Sequence, residues 1–157
     1  MITVRLTDYE MAECIREAHE RQRAVKARQA QSNGPTVNPI EQDLVGILGE
    51  VAFAKWSGQR PTAPQGQHFN QNTDFPNCEV RTRSKKSGGT LFVKNKKFNQ
   101  QPPSTIYVLA WADPQSLDVE LVGWTTLGTI ADYGYPGPYD STRFEAQGLQ
   151  PMETLTL

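Results

Sequence analysis

The stretch NPIEQDLVGILGEVAFAKWSG, residues 38–58, constrains the fold more than any other part of this chain. Asn38 is a helix cap, Pro39 suits the first helical position, and Glu41 stands three residues after the cap. Ile40, Leu44, Ile47, Leu48, Val51 and the run Phe53 to Trp56 then cover most of the circumference of the helix they predict. A helix apolar on nearly every side must be buried, so the rest of the chain has to supply layers around it. Gly46 and Gly49 weaken it as an isolated helix but let a neighbouring element come close.

Ahead of it, Thr7-Asp8-Tyr9-Glu10 has capping-box spacing, and Met11, Cys14, Ile15, Ala18 and Val25 recur at roughly helical intervals. The spacing predicts a helix from Asp8 to Gln31, basic in its far half, preceded by an N-terminal strand and ended by Ser32-Asn33-Gly34-Pro35. Residues 58–77 are rich in Pro, Gly, Gln and Asn, and read as an irregular connection with room for one short strand. Strand composition follows at Cys78–Arg83, Thr90–Lys94, Ser104–Ala112 and Leu117–Trp124, the last two as a hairpin across Asp113-Pro114-Gln115-Ser116. Thr125–Ala131 reads as a short helix and Asp132–Asp140 as a loop, while Phe144–Leu157 has too few periodic positions to assign. The expected fold is therefore α/β, a single domain over residues 1–157. Residues 1–37 would hold a strand and a basic helix, 38–125 the core, and 126–157 an extension.

No apolar run approaches the roughly 20 residues needed to span a bilayer. The first ten residues contain acids and lack the apolar stretch of a secretory signal, so a cytoplasmic location is expected. Cys14 and Cys78 are far apart and in no C-x-x-C pattern, which predicts buried thiols rather than a disulfide or a zinc site.

The net charge of -1 conceals a segregation. Residues 1–100 carry 15 basic and 10 acidic side chains, and residues 101–157 carry 1 and 7. Five of the basic residues fall in 16–28 and seven in 81–97, and the second window contains no acid. Local potential governs phosphate contact, so that window is a candidate polyanion surface on a slightly acidic protein. Arg83, Lys85, Lys86, Lys94, Lys96 and Lys97 are its expected nucleic-acid contacts, gathered by a hairpin of two consecutive strands, with Phe98 and the amides at 99–101 beside sugar or bases. Solvated surface lysines are the plain alternative.

In Cys78-Glu79-Val80-Arg81-Thr82-Arg83 side chains alternate, which places Glu79, Arg81 and Arg83 on one face. A magnesium-dependent phosphodiesterase needs hard oxygen ligands and a cation against the pentavalent phosphate. Glu79 and Arg81 supply one of each, and Asp74, across Phe75-Pro76-Asn77, offers a second carboxylate. The bland counterpart is a surface salt-bridge strand. Asp43, Gly46 and Glu50 share a helix face, where a carboxylate turned toward a sheet needs a metal or an arginine; a solvated charge near Lys55 is the alternative for Glu50. His68, six residues before Asp74, is a weaker candidate for phosphate contact, and His19 weaker still.

With Glu50 in GILGEVAFAKW, Asp74 in NTDF and Glu79-Val80-Arg81 in CEVRTR, followed by Leu91-Phe92-Val93, Ile106–Ala112 and the Gly123-Trp124 ending, residues 38–125 resemble the PD-(D/E)XK, or restriction-endonuclease-like, nuclease superfamily, in particular its small phage-type and restriction-type members. The resemblance implies a mixed central sheet flanked by helices and a Mg2+- or Mn2+-dependent endo- or exonuclease acting on DNA, with RNA also compatible and a homodimer allowed. It assigns metal binding to Glu50, Asp74 and Glu79, and catalysis to these three with Arg81. Thr73 stands where Pro is common, and Arg81 where Lys is usual; a guanidinium cannot share proton transfer as an amine can, though it can orient water or clamp phosphate. Lys85 or Lys86 is a potential substitute. Two further readings stay open: a non-catalytic nucleic-acid-binding protein on the same scaffold, and a structural or inhibitory interaction module whose acidic half, from residue 101 onward, meets a basic partner.

Overall fold

The computed structural model describes residues 1–28, 38–62, 73–85 and 89–157. The fold is α/β, with a mixed four-stranded sheet as its centre. Strand β1 (Ile2–Arg5) leads into α1 (Asp8–Arg28) and α2 (Pro39–Ser57), followed by β2 (Cys78–Ser84), β3 (Thr90–Lys94) and the short α3 (Lys97–Gln100). Then come β4 (Ile106–Ala112), β5 (Asp118–Thr126), α4 (Leu127–Tyr133), β6 (Tyr135–Gly137) and β7 (Ser141–Glu145), with 3-10 turns at Ala146–Gly148 and Met152–Thr154.

Both long helices start on the expected signals. Thr7 and Glu10 exchange a reciprocal capping box, Thr7 N–H donating to Glu10 Oε1 at 2.8 Å and Glu10 N–H to Thr7 Oγ1 at 3.1 Å. At α2, Asn38 Oδ1 accepts from Glu41 N–H at 3.1 Å, and Gly58 closes the helix at φ 73°, a left-handed conformation that suits glycine.

The central sheet runs β1-β5-β4-β2, antiparallel except for the parallel pair β2 and β4. Its interior strand β4, IYVLAWA, is buried on both faces, whereas β5 alternates. Val108 and Ala110 of β4, with Cys78 and Val80 of β2, pack on one face against Leu44, Leu48, Ala52 and Phe53 of α2 and Cys14 and Ala18 of α1. Tyr107 and Leu109 project from the other face into a second core with Leu91 and Val93 of β3, Phe144 of β7, and Leu127 and Ile130 of α4. Strands β3, β7 and β6 form the three-stranded antiparallel sheet of that second layer.

Both glycines face Thr82 of β2, whose hydroxyl donates to Gly46 O at 3.5 Å, but the missing side chain matters at Gly49. A Cβ on Gly49 would lie 1.8 Å from Thr82 Oγ1, whereas one on Gly46 meets no described atom within 4 Å. Strands β2 and β3 do not form the expected hairpin: β2 pairs with β4 and β3 with β7. Leu91 and Val93 need burial under β4, and Asp74 occupies the outer edge of β2 by accepting from Val80 N–H at 2.9 Å. The region expected as a loop contains β6, and the unassigned tail begins on β7. Gln31 and Lys86 lie outside the described residues. Cys14 and Cys78 are free and buried, and desolvation together with nearby carboxylates pushes both thiols up to about 12. Among the described residues no helix is long and apolar enough to cross a membrane.

Candidate active site

Strand β2 is an edge strand, and its exposed backbone edge is where the acidic residues collect. The chain turns at Asn77, with φ 55°, and the bridge between Phe75 and Cys78 folds Asp74 back beside the strand. Alternation along β2 sends Cys78 and Val80 into the helix-side core and turns Glu79 and Arg81 to the face where Tyr107 is the register neighbour of Glu79.

Glu79 is 2 % exposed, a costly position for a carboxylate without partners. Gln101 Nε2 donates to its Oε1 at 2.8 Å, Lys97 Nζ stands 3.4 Å from the same oxygen, and an Arg81 guanidinium nitrogen lies 3.5 Å from Oε2. Gln101 is itself held by Tyr107, whose hydroxyl donates to Gln101 Oε1 at 2.5 Å. Burial works to raise the pKa of Glu79; Arg81, hydrogen bonds from Asp74 and Gln101, and Lys97 outweigh it and hold the group below the usual carboxylate range. Burial likewise works against the charge of Arg81, but the neighbouring Glu79 and Asp74 carboxylates reverse the balance and raise its pKa.

Asp74 behaves oppositely. Burial, then the negative charges of Glu50 and Glu79, push its carboxyl up to about 8, against the opposing Val80 N–H and Arg81. The two carboxyls act on each other in opposite senses: the charge of Glu79 helps raise Asp74, and Asp74 helps hold Glu79 low. Glu50 approaches from α2 and is gripped by α1: Arg21 lies 3.2 Å from both Glu50 and the buried Glu17.

The acids expected at the site thus influence one another across three elements. Among the described residues no three His, Cys, Asp or Glu side chains stand close enough to hold one ion together. The donors that fit a hard cation are Asp74 and Glu79, an all-oxygen pair, while Glu50 is ion-paired with Arg21.

The expected basic contacts separate. Lys97 is buried and belongs to the acidic site rather than to an open surface, because α3 turns it inward onto Glu79. Lys85 pairs with Glu120 at 3.0 Å, Lys94 donates to Tyr139 O at 3.4 Å, and Lys96 is exposed. Arg83 is half-buried against the Phe92 ring. Phe98 packs on the second core and Gln101 is buried, so neither forms an open contact for bases. His19 is exposed on α1, and His68 and Lys86 lie outside the described residues. Arg16 is taken up by Glu13 and Glu20 at 2.7 Å each, and Arg21 by Glu17 and Glu50, which ties two of the first helix's arginines to acids.

The sequence places Gln101 among amides beside sugar or bases rather than on Glu79, and gives no sign of Tyr107 or Arg21 at the site. Gln101 and Glu79 are 22 residues apart and Arg21 and Glu50 are 29, and no local spacing signals such contacts. Comparison with protein-family models, curated proteins and solved structures returns no match to this chain.

Proposed function

We propose that this chain is a divalent-cation-dependent nuclease of the restriction-endonuclease-like kind, hydrolysing phosphodiester bonds of DNA at the outer edge of β2. The observation that carries the reading is the buried Glu79 carboxylate, flanked by Arg81 and Lys97, with Asp74 held on the same strand by Val80 N–H. Mg2+ is commonly held by only one or two protein carboxylates, its other positions going to water and substrate phosphate, so this pair is a sufficient donor set. Bound there, the ion would supply Lewis-acid polarisation of the phosphate and a more acidic water.

The chain's own groups have separable tasks. Tyr107 and Gln101 hold the Glu79 carboxylate in one orientation. Lys97 brings a primary amine to the side of Glu79 that Arg81 does not occupy, and so provides the compact, tunable charge that a guanidinium at position 81 cannot. Arg81 is suited to bind phosphate oxygens with its planar fork. Arg21 fixes Glu50, whose charge acts on Asp74 and adds negative potential that favours a cation. The reading places the protein in the cytoplasm, a reducing compartment that suits two free thiols.

Metal binding tests this directly. The melting temperature of the wild type at about pH 8 should rise with added Mg2+ or Mn2+, because an ion that binds only the folded state stabilises it by mass action. Glu79→Gln should remove that rise. An equal rise in both proteins would place the ion elsewhere and end the assignment.

A further inference from the structure

Arg83 from β2 and Arg143 from β7 both stack on Phe92 of β3, with guanidinium carbons 4.4 and 4.5 Å from the ring centroid. Phe92 and Arg143 are register partners on neighbouring strands, and adjacent Leu91 and Phe144 point into the second core, so Phe92 and Arg143 share the outward face of that sheet. Gly137 leaves the space that Arg143 fills: a Cβ there would lie 3.0 Å from Arg143 Cγ and 3.3 Å from Nε.

Arg5, Arg16, Arg21 and Arg81 each have a carboxylate within 3.5 Å. Arg83 and Arg143 have none within 4.0 Å among the described residues, and residues 29–37, 63–72 and 86–88 contain no Asp or Glu. Glu145, two residues along β7 from Arg143, accepts a hydrogen bond from the Tyr135 hydroxyl. Two half-buried like charges beside one ring repel each other. Desolvation first, and then Arg143, lowers the pKa of Arg83. Stacking occupies the flat face of a guanidinium and leaves its in-plane N–H donors for an anion, and Arg143 Nε is buried without a hydrogen-bond partner.

We infer that Arg83, Phe92 and Arg143 form a phosphate-binding clamp that grips the nucleic-acid backbone beside the cleavage site. The clamp rests on the nuclease reading for its ligand, a phosphodiester, and not for its geometry. Arg83 is four residues along β2 from Glu79 on the same face, about 13 Å away at the usual strand rise. At about 3.4 Å of duplex axis per phosphate on each strand, that is roughly four nucleotides. The clamp sets the position of the strand relative to the acidic pair without reading its sequence.

The test is a set of isotherms for a short DNA duplex in EDTA at several salt concentrations, for wild type, Arg83→Gln, Arg143→Gln, the double variant of these two, and Arg16→Gln. Each clamp variant should flatten the slope of log affinity against log salt by about 0.9, and the double variant by about 1.8, while Arg16→Gln leaves it unchanged. If Arg143→Gln does not fold, Arg143→Lys and Arg83→Gln decide: the first should keep the slope and the second lose one contact. Slopes unaltered by Arg83→Gln, or a wild type that does not bind duplex, overturn the clamp. Magnesium-dependent cleavage of the same duplex is read separately. Retained cleavage with unaltered slopes discards the clamp alone, and altered slopes without any cleavage discard the nuclease reading alone.

Discussion

Lys97 Nζ stands 3.4 Å from Glu79 Oε1 although the two residues are 18 apart in sequence, one on α3 and one on β2. Arg81, two residues from Glu79 on the same strand, approaches the other carboxylate oxygen. The acid is therefore bracketed by two cations of different chemistry, a compact ammonium and a planar guanidinium fixed in its protonation.

Lys97→Met should lower magnesium-dependent cleavage by at least 100-fold, the lower range for losing a positioned proton-transfer or charge-stabilising group. Lys97→Arg should not restore it, because the fork is broader than the space an ammonium fills. Single-turnover cleavage by both variants checks this, and full activity in Lys97→Met would reduce Lys97 to a structural counter-ion of Glu79.

Arg81→Lys should preserve or raise cleavage. The substitution keeps a positive charge beside Glu79 and brings an amine into the strand position where the resembling family carries one. A clear loss of rate, measured at saturating Mg2+, would show that the bidentate grip of Arg81 on phosphate is required.

The titration of Asp74 has a definite sign. Its folded pKa, about 8, lies above the ordinary 3.8, so the folded state keeps a proton that the unfolded chain has released. Stability from this group is full below about pH 4 and declines as pH rises to about 8. Glu79 is shifted downward, so its contribution is lost only in the acid range, below the ordinary 4.5. Melting temperatures should therefore fall from about pH 5 to about pH 8 in the wild type and stay flatter in Asp74→Asn. Added Mg2+, which competes with the proton on Asp74, should stabilise the wild type more at the higher pH. Parallel pH profiles for the two proteins would contradict this.

Gly49 and Gly46 provide a stability test of the helix under the site. Gly49→Ala drives a methyl into Thr82 and should cost about 1–3 kcal/mol, while Gly46→Ala, with open space around it, should gain roughly 0.5–1 kcal/mol of helix propensity. Urea denaturation of both variants measures the pair. Equal effects would mean that α2 does not rest on β2 through Gly49.

What could be read in the sequence was local. Asn38, Pro39 and Glu41 announce α2 because capping is settled within one turn, and the alternation of CEVRTR separates Glu79 and Arg81 from Cys78 and Val80 because strand periodicity is two. What could not be read was non-local. Strand β3 has the composition to pair with β2, yet it joins β7, whose residues 141–145 carry no recognisable period, and this separates the basic residues expected on one hairpin. Arg143, the sole basic residue after position 100, gains meaning only once Phe92 lies opposite it. Lys97 reads as surface because it ends the acid-free basic run of residues 81–97, whereas the turn of α3 sends it inward.

Cleavage of a labelled DNA duplex, with and without Mg2+, by the wild type, Asp74→Asn and Glu79→Gln decides whether the acidic pair is a nuclease centre. Magnesium-dependent strand scission by the wild type should be suppressed by EDTA and reduced at least 100-fold in each variant, with all three proteins folded as judged by circular dichroism. A wild type that binds the duplex but leaves it intact under Mg2+ and Mn2+, or variants that cleave as fast as the wild type, would contradict it.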